Sequence, residues 1–503
     1  MEWNQALWLV LYYGALALLC CYGIHRYLML VLYNKYKRCP PPTPDRLPEL
    51  PPLTIQLPVF NEMYVVERLI RAICGLRYPK DKLEIQVLDD STDETREICG
   101  RLVAEYRCRG FEIHHITREN RAEFKAGALE NGLRTARGEF IAIFDADFVP
   151  EPDLLERMIH YFSDPQLGMI QSRWGHINEN YSVLTKVQSM LLDGHFLIEQ
   201  TARCRSGRFF NFNGTAGIWR RQCIESAGGW SGDTLAEDLD LSYRAQLQRW
   251  KFLYLPEVVT AAELPVEMNG FRSQQHRWAK GSVQTCKKIL PVLWHSDLPL
   301  KIKLEGTVHL TSNLAYLPLL LLCFLLNPNL MHLPGATWER MLFLDVPIFF
   351  AASVSIIAFY VCAQRDLHRD WKRRLLLIPL LMAIGIGLSI NNAKAVIEAL
   401  FNHRTAFTRT PKYGLAHARA SWRERRYRAI KQALPWMELA CGSYVTYFIV
   451  LAVQANAWGA IPFMALFQIG FLYVGLVSIF QQLGFREDKP AEASVFPAEE
   501  FIS

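Results

Sequence analysis

This chain contains several long apolar stretches and one extended region in which apolar and polar residues are mixed. That region, residues 36–300, contains short apolar runs separated by polar turns and by helical patterns. A stretch of about 20 apolar residues is long enough to cross a bilayer as a helix. Six stretches approach or exceed that length: 7–33, 307–328, 342–363, 375–400, 437–455 and 459–481. The pattern predicts an integral, multi-pass membrane protein that carries one large aqueous domain.

Strand patterns and helical patterns follow one another through the aqueous domain. Strand patterns begin at Leu53 and Leu83 and recur at 113–116 and 141–145, and amphipathic helical patterns lie between them. Such alternation favours an α/β fold with a mainly parallel, doubly wound sheet. The run that ends at Asp145 is apolar on both faces, which is typical of a strand buried within such a sheet.

Two of the predicted strands end in paired acids. Asp89 and Asp90 follow the second strand, and Asp145 and Asp147 follow the strand that begins at Phe140. Each pair alone has a plain alternative as a solvated strand end. Two acidic ends at one sheet edge, however, concentrate negative charge that a cation or hydrogen-bond donors must offset. Carboxylate oxygens suit a divalent cation that also holds a diphosphate, so this edge is a predicted nucleotide site.

Further candidates come from charged and small residues in the same domain. Lys125 could reach a phosphate, although a lysine in this place is more often a solvated charge. Glu237 and Asp238 open a helical pattern, where Asp238 is a candidate general base and the alternative is complementarity to the helix dipole. Phe212, Asn213 and Gly214 could line a sugar slot, or form a glycine-rich turn over core aromatics.

Gln274, Arg277 and Trp278 share one face of a helix that precedes the next apolar stretch. The guanidinium could hold a diphosphate, and the indole ring could support an acceptor sugar. The alternative is an interfacial helix with its Trp and Arg at headgroup level.

The basic residues predict how the chain is oriented in the membrane. Lys35, Lys37 and Arg38 follow the first stretch, which is expected to be an uncleaved anchor, so the N-terminus is expected outside and residues 36–300 in the cytosol. Residues 375–401 lie between two basic segments and carry polar residues that are costly at bilayer depth. We interpret them as interfacial or re-entrant, with a sixth crossing as the alternative, so five crossings and an inner C-terminus are expected.

The charge distribution indicates which partners to expect, and the spacing of the cysteines indicates their chemical state. The net charge of +6 is modest, and much of it lies beside the apolar stretches. That distribution suits anionic lipid headgroups, so we expect membrane lipids as partners and no nucleic acid. The 12 cysteines show no metal-ligand spacing and are expected to be reduced.

Taken together, the motifs resemble those of membrane-embedded glycosyltransferases of family 2. Within that family the chain is most similar to plant cellulose synthase-like A proteins, the mannan and glucomannan synthases, and to the catalytic subunits of bacterial cellulose synthases. Residues 407–412 (FTRTPK) resemble the gating loop of cellulose synthases through Phe407, Arg409, Thr410 and Lys412, with Arg409 in place of a valine. The matching stretches are 58–62 (PVFNE), 89–90, 125–127, 145–147, 212–217, 237–238 and 274–278.

The resemblance implies a GT-A-type domain and a set of roles for these residues. Asp238 is expected to be the catalytic base with Glu237 beside it, and Asp147 with Asp145 to hold Mg²⁺ or Mn²⁺. Acceptor binding is expected at Trp278, Phe212, Asn213 and Gly214. Donor binding is expected at Pro58, Asn61, Glu62, Asp89, Asp90, Lys125, Asp145, Gln274 and Arg277.

The expected domains follow the same resemblance. They are an anchor (1–35), a proline-rich linker (36–52), the GT-A domain (53–270), interfacial helices (271–306), a transmembrane hairpin (307–363), an interfacial segment with the gating-type loop (364–434), a second hairpin (435–482) and a tail (483–503).

The implied function is inverting, metal-dependent transfer of a hexose from a nucleotide sugar to a growing polysaccharide. The donor is expected to be GDP-mannose or UDP-glucose, and the product a β-linked, β-1,4 glycan exported through the membrane helices. The main alternative is transfer of one sugar to a lipid such as ceramide, diacylglycerol or polyprenyl phosphate, so the acceptor is a glycan or a glycolipid. A non-enzymatic scaffold is a third class. The membrane is expected to be a bacterial inner membrane, and partner subunits are left open.

Overall fold

A computed structural model describes residues 3–326, 346–403, 409–415, 422 and 433–483. The aqueous domain is built on one sheet of eight strands in the order β3-β2-β1-β4-β7-β6-β8-β5. The strands are β1 Leu53–Val59, β2 Leu83–Asp89, β3 Glu112–Thr117, β4 Phe140–Ile143, β5 Phe148–Val149, β6 Leu167–His176, β7 Gly217–Arg220 and β8 Lys251–Ala262.

The sheet has a parallel half and a mixed half. Strands β1 to β4 pair in parallel, with Ile55 opposite both Ile85 and Ala142. Beyond β4 the direction reverses, because β7 is antiparallel to both β4 and β6, while β8 is parallel to β6 and antiparallel to β5. The predicted parallel order is confirmed for the four strands that the sequence pattern identified. That pattern does not identify the other four strands, β5 to β8.

Helices cover both faces of this sheet. Helix α1 Trp3–Tyr36 precedes the aqueous domain. The helices of that domain and of the segment that leads out of it are α2 Val66–Cys74, α3 Thr95–Cys108, α4 Phe124–Thr135, α5 Leu154–Ile159, α6 Val183–Asp193, α7 Thr201–Arg205, α8 Arg221–Ser226, α9 Glu237–Leu247 and α10 Met268–His295. Helices α11 Leu300–Thr311, α12 Tyr316–Leu325, α13 Val346–Phe349, α14 Ser355–Leu367, α15 Trp371–Arg374, α16 Ile378–Gly387, α17 Ser389–Leu400, α18 Leu434–Gln454 and α19 Ile461–Leu483 follow.

Short segments of 3₁₀ and π helix lie between these helices and strands. Turns of 3₁₀ helix lie at Lys80–Lys82, His160–Ser163, Glu179–Tyr181, Ser312–Ala315 and Leu375–Leu377, and π turns at Gly194–Gln200 and Phe350–Val354. The π turn at Gly194–Gln200 joins α6 to α7.

Within the part of the chain that the structure describes, five helical segments are long and apolar enough to cross a membrane. They are Ala6–Tyr36, Leu300–Leu325, Phe350–Leu367, Leu434–Gln454 and Ile461–Gln482. The expectation of about five such helices is confirmed. Residues Trp371–Gly387 and Ser389–Leu400 form a pair bent by 40°, which a broken span or a re-entrant segment would show. The interfacial interpretation of 375–401 therefore stays a prediction, and nearly all of the predicted tail, 483–503, lies outside the described residues.

Helices α16 and α19 approach each other closely through glycines. A Cβ atom added to Gly387 would lie 2.3 Å from the carbonyl oxygen of Gly470, and one added to Gly470 would lie 2.2 Å from that of Ala383. Small residues permit such backbone contact between membrane helices. The absence of side chains at these two glycines is therefore what allows the two helices to pack.

We predict that Gly470→Leu destabilises the protein, because the new side chain meets a carbonyl group that cannot move away. Overpacking of this kind costs about 1–3 kcal/mol. The measurement is the midpoint of thermal unfolding in detergent, followed by tryptophan fluorescence.

The matched control is Gly14→Leu on α1, where an added Cβ meets no heavy atom within 4 Å. Equal midpoints for Gly470→Leu and Gly14→Leu would contradict the packing described for α16 and α19.

Candidate functional site

A cavity of about 240 Å³ opens at the carboxyl ends of β1 and β4. Its walls come from the strand ends, the first turn of α9, one face of α10 and the segment 409–412. The predicted site residues that line it are Pro58, Glu62, Asp90, Lys125, Asp145, Asp147, Asn213, Gly214, Glu237, Asp238, Gln274, Arg277, Trp278, Arg409, Thr410 and Lys412. Residues far apart in the sequence therefore meet in one pocket, at the sheet edge where open α/β folds place ligands.

Lys125 lies between two of the acidic elements. Its Nζ donates to Asp145 Oδ1 at 2.5 Å and to the carbonyl oxygen of Gly214 at 2.8 Å. Gly214 has a φ of +83°, and a Cβ there would lie 3.0 Å from Asp238 Oδ2. Glycine is thus required both by the backbone conformation and by the approach of the carboxylate. Asp145 and Asp238 therefore both lie close to one ammonium group.

The environment of Asp238 changes its acidity. Burial, and then the charge of Glu237, raise the pKa of Asp238 to about 7, while Lys125 acts in the opposite direction. Burial also raises the pKa of Glu237. Asp238 therefore changes protonation state near neutral pH, which is what a general base for a hydroxyl needs.

Lys125 is held in its charged form by the acids around it. Burial alone would lower its pKa, but the charges of Asp145 and Glu237 outweigh that effect and raise the pKa of Lys125. A cation kept charged in a pocket of this size is well suited to a phosphate group.

Asp145 and Asp147 provide a set of oxygen ligands at the end of β4. Each carboxylate is balanced by a lysine, since Lys125 contacts Asp145 and Lys412 Nζ contacts Asp147 Oδ2 at 2.6 Å. Two hard carboxylates facing one polar pocket fit Mg²⁺ or Mn²⁺ by ligand type. A divalent cation on Asp147 would take over the charge that Lys412 now balances.

The two acids at the end of β2, both predicted to bind the donor, lie in different environments. Asp90 lines the pocket and pairs with Arg118 Nε at 2.9 Å. Asp89 does not line it: the side chain is buried and is held by the Ser91 backbone N–H and by His115 Nε2, each at 2.8 Å. Successive side chains of a strand point to opposite faces, so Asp89 is turned away from the pocket that Asp90 lines, and its direct contact with the donor stays a prediction.

Asn61 also lies behind the pocket wall rather than in it. Its backbone has a φ of +54°, its N–H donates to Ser91 Oγ at 2.8 Å, and its Oδ1 accepts from the Thr92 N–H at 2.9 Å. It fastens the loop after β1 to the loop after β2. In this structure Asn61 shapes the loop, and its predicted contact with the donor stays a prediction.

Phe212 belongs to the core of this structure, and its predicted contact with the acceptor stays a prediction. The side chain is fully buried and packs edge-to-face on Trp219 with ring centroids 5.5 Å apart. Asn213 does line the pocket. Its amide is held by Gln200 Nε2 at 2.6 Å and by His195 Nε2 at 3.0 Å, both in the π turn.

Helix α10 presents the predicted face to the pocket. Gln274, Arg277 and Trp278 all line it, as their spacing indicates. Arg277 adds a second cation opposite Glu237 and Asp145, whose charges partly offset the lowering of its pKa by burial.

The segment 409–412 covers one side of the pocket. Arg409 forms a two-pronged ion pair with Glu62, at 2.9 and 2.7 Å. Burial raises the pKa of Glu62 to about 7, against the effect of Arg409. Thr410 and Lys412 also line the cavity, whereas Phe407 lies outside the described residues.

The sequence reasoning missed several residues of this site. Glu263 accepts the Tyr413 and Gly414 backbone N–H groups at 2.9 and 3.1 Å and thereby anchors the covering segment. Arg121 lies over the ring of Phe60 with 3.3 Å between the guanidinium carbon and the ring centroid, and both line the pocket. The sequence around Glu263, 263–265 (ELP), gives no indication of this contact.

Comparisons with known proteins agree with this geometry. The model of a family described as "Glycosyltransferase like family 2" matches residues 51–281. A solved structure, a mannosyltransferase from Pyrobaculum calidifontis in complex with GDP-Man and Mn²⁺, shares the fold with a TM-score of 0.52 at 20% identity, over 80% of this chain and 99% of that one.

Plant proteins are among the sequence relatives. Glucomannan 4-beta-mannosyltransferase 2 of Arabidopsis thaliana is 44% identical over 48% of this chain and 46% of its own length, and glucomannan 4-beta-mannosyltransferase 1 of rice is 43% identical over 55% and 54%. The chain thus spans about half the length of these two relatives. Glucomannan 4-beta-mannosyltransferase 1 of Cyamopsis tetragonoloba is 32% identical over 86% of this chain and 84% of its own length. The chain therefore belongs to glycosyltransferase family 2, with the plant glucomannan 4-beta-mannosyltransferases among its relatives.

Proposed function

We propose that this protein transfers mannose from GDP-mannose to a growing β-1,4-linked polysaccharide, with inversion at the anomeric carbon and with a divalent metal ion. The observation that carries the proposal is one pocket that holds a carboxylate ionising near neutral pH, Asp238, together with the oxygen ligands Asp145 and Asp147. The names of the relatives support mannose and the β-1,4 linkage. The complex of the archaeal neighbour supports a GDP-linked donor.

In this reaction the residues around Lys125 have separate roles. Asp238 accepts the proton of the acceptor hydroxyl as that oxygen attacks the anomeric carbon, from the face opposite the leaving diphosphate. Lys125 and Arg277 place positive charge in the pocket where negative charge grows on the leaving group. Asp147 and Asp145 would hold Mg²⁺ or Mn²⁺, which stabilises charge on phosphate oxygens when bound.

Two further parts of the pocket are assigned to the substrates. Trp278 offers an aromatic surface for the acceptor sugar next to Gln274, and Asn213, fixed by Gln200 and His195, offers an amide to a sugar hydroxyl. Asp90 and Phe60 are assigned to the nucleoside of the donor. Arg409 and Lys412 close this side of the site through Glu62 and Asp147.

The location of the enzyme is part of the proposal. We place the catalytic domain on the cytosolic side, because Lys35 and Lys37 follow the first span. The named relatives are plant proteins, and they lend no support to a bacterial inner membrane, which stays a prediction from the sequence.

The test is a donor screen with purified protein. Radiolabelled GDP-mannose and UDP-glucose are incubated separately with Mg²⁺ or Mn²⁺, and the products are separated by lipid extraction and analysed for linkage. We expect a polymer of β-1,4-linked mannose that resists extraction. A single labelled glycolipid would instead favour the transfer of one sugar to a lipid, and incorporation from UDP-glucose alone would overturn the choice of donor.

We predict that Asp238→Asn abolishes transfer and leaves GDP binding largely intact, because the amide cannot accept a proton but keeps the shape of the side chain. A loss of about 10²–10⁴-fold in the rate is expected for removal of a general base. Rates from polymer formation and affinities from calorimetry measure the two effects.

The matched control is Asp233→Asn, an acid near the start of the same helix that pairs with Lys288 at 2.8 Å outside the pocket. A comparable loss of GDP binding and of transfer in Asp238→Asn would count against Asp238 as the base.

The rate of transfer is expected to depend on pH through Asp238. The ionised form is the base, and the pKa of this group is raised to about 7. With donor and acceptor saturating, the rate should fall about tenfold for each pH unit below that value and level off above it. A rate that stays constant from pH 8 to pH 5 would contradict the assignment.

We predict that Asp147→Ala removes the dependence of donor binding on metal, because its carboxylate is the ligand freed when Lys412 moves. GDP affinity measured with Mn²⁺ and with EDTA should differ in the wild-type protein and coincide in the variant. Unchanged enhancement by Mn²⁺ in Asp147→Ala would place the metal elsewhere.

A further inference from the structure

A second cavity lies among the membrane helices, apart from the pocket described above. Its volume is about 780 Å³, and its wall is formed by α1, α12, α14, α16 and the start of α19. Leucine, isoleucine, alanine, phenylalanine and methionine side chains provide most of that wall. Its composition is that of a site for an apolar molecule.

Helix α1 contributes one continuous face to this cavity. The lining residues recur every three or four positions, which places them in a row along the helix. From the first to the last of them the helix rises by about 27 Å, close to the thickness of a hydrocarbon core, ~30 Å. They are Trp8, Tyr12, Leu16, Leu19, Tyr22 and Arg26.

Arg26 lies at the end of this row that is nearer to the catalytic domain. Beyond it, Met29, Leu30 and Tyr33 pack against Leu197 and other apolar residues of the catalytic domain. The guanidinium therefore lies where α1 passes from contact with the aqueous domain into the membrane, which is the level of lipid headgroups.

The acids near Arg26 are committed to other cations. Glu305 accepts from His25 Nε2 at 3.0 Å and from Arg203 Nε at 2.9 Å. Among the residues that the structure describes, none forms a hydrogen bond or an ion pair with Arg26. Tyr316 and Tyr360 line the same cavity as Arg26, but a phenol group supplies no anion.

At headgroup level a guanidinium that has no anion from the protein favours an anionic partner from the lipid. A phosphate group supplies both the negative charge and the paired acceptor oxygens that arginine prefers. A neutral glycan would supply neither, and its hydroxyl groups would face a largely apolar wall.

We propose that this cavity binds a phosphorylated lipid from the leaflet on the side of the catalytic domain. The phosphate pairs with Arg26, and an acyl chain lies along the face of α1 between Tyr22 and Trp8. The site is separate from the transfer reaction, and the inference does not depend on the proposed donor or product.

The test measures binding of dioleoyl phosphatidylglycerol to the delipidated full-length protein by native mass spectrometry. Dioleoylglycerol, which has the same chains without phosphate, is the matched ligand, and inorganic phosphate is added as a competitor. We expect wild-type protein to bind one phosphatidylglycerol with higher affinity than dioleoylglycerol. Arg26→Gln should weaken the phospholipid alone, by about tenfold or more, and Arg26→Lys should restore part of the difference.

Two further variants separate the site from general effects. Arg38→Gln removes an exposed cation just beyond α1 that does not line the cavity, and binding should be unchanged. Gly385→Phe projects into the cavity, since an added Cβ at Gly385 meets no heavy atom within 4 Å, and both lipids should bind less.

Three outcomes would overturn the proposal. They are equal affinity of wild-type protein for the two lipids, unchanged phospholipid affinity in Arg26→Gln, and a hexose oligomer as the bound species. Displacement of the lipid by millimolar inorganic phosphate alone would show an anion site without a lipid site. The thermal midpoint of each variant is measured alongside, so that a misfolded variant is recognised. If Arg26→Gln is misfolded, Arg26→Lys takes its place in the comparison.

Discussion

The balance of charge in one small pocket is the constraint on which the rest of the catalytic domain depends. Asp145, Asp147, Glu237 and Asp238 meet in a cavity of about 240 Å³, where like charges repel and burial disfavours ionisation. Lysines from two distant segments, Lys125 and Lys412, offset part of this charge by direct contact. The pocket thus contains both carboxylates and lysines. A diphosphate with its metal ion suits it, because the metal can bind to carboxylates and the diphosphate can bind to lysines.

The attachment of this domain to the membrane helices depends on buried ion pairs of a similar kind. Arg203 of α7 pairs with Glu305 of α11, and Arg272 of α10 pairs with Glu438 of α18, with side chains that are almost or completely inaccessible. Breaking such a pair by removing one partner leaves a buried charge uncompensated, at a cost of about 3–5 kcal/mol. The second pair links α10, which also carries Trp278, directly to the span α18.

The outline of the site could be predicted from the sequence, because acids at strand ends and spacings along a helix have direct geometric meaning. The parallel order of the first four strands, the common face of Gln274, Arg277 and Trp278, and the meeting of Asp147 with Asp238 are examples. Which of two adjacent residues faces the pocket is decided by the turn after the strand. For that reason Asp89 and Asn61 were assigned to the donor although they support the loops behind it.

Contacts between segments far apart in the chain were the least predictable. Phe212 is an aromatic residue of the kind that often binds sugars, but its ring fills the core beside Trp219. Nothing in the sequence near Lys412 indicates its contact with Asp147. The second cavity is a feature of this kind too, because Arg26 is seen to lack an anion only when the neighbouring helices are in place. Tertiary packing, rather than local propensity, determines each of these positions.

The central claim is that a base and a metal site act on one donor in one pocket. The most direct measurement is a structure of the protein determined by electron cryomicroscopy with GDP and Mn²⁺ bound. The account predicts the metal on Asp147 beside the diphosphate, with Lys412 displaced and the carboxylate of Asp238 facing the same cavity. A metal bound away from Asp147, or a bound nucleotide from which Asp238 is separated by the pocket wall, would contradict it.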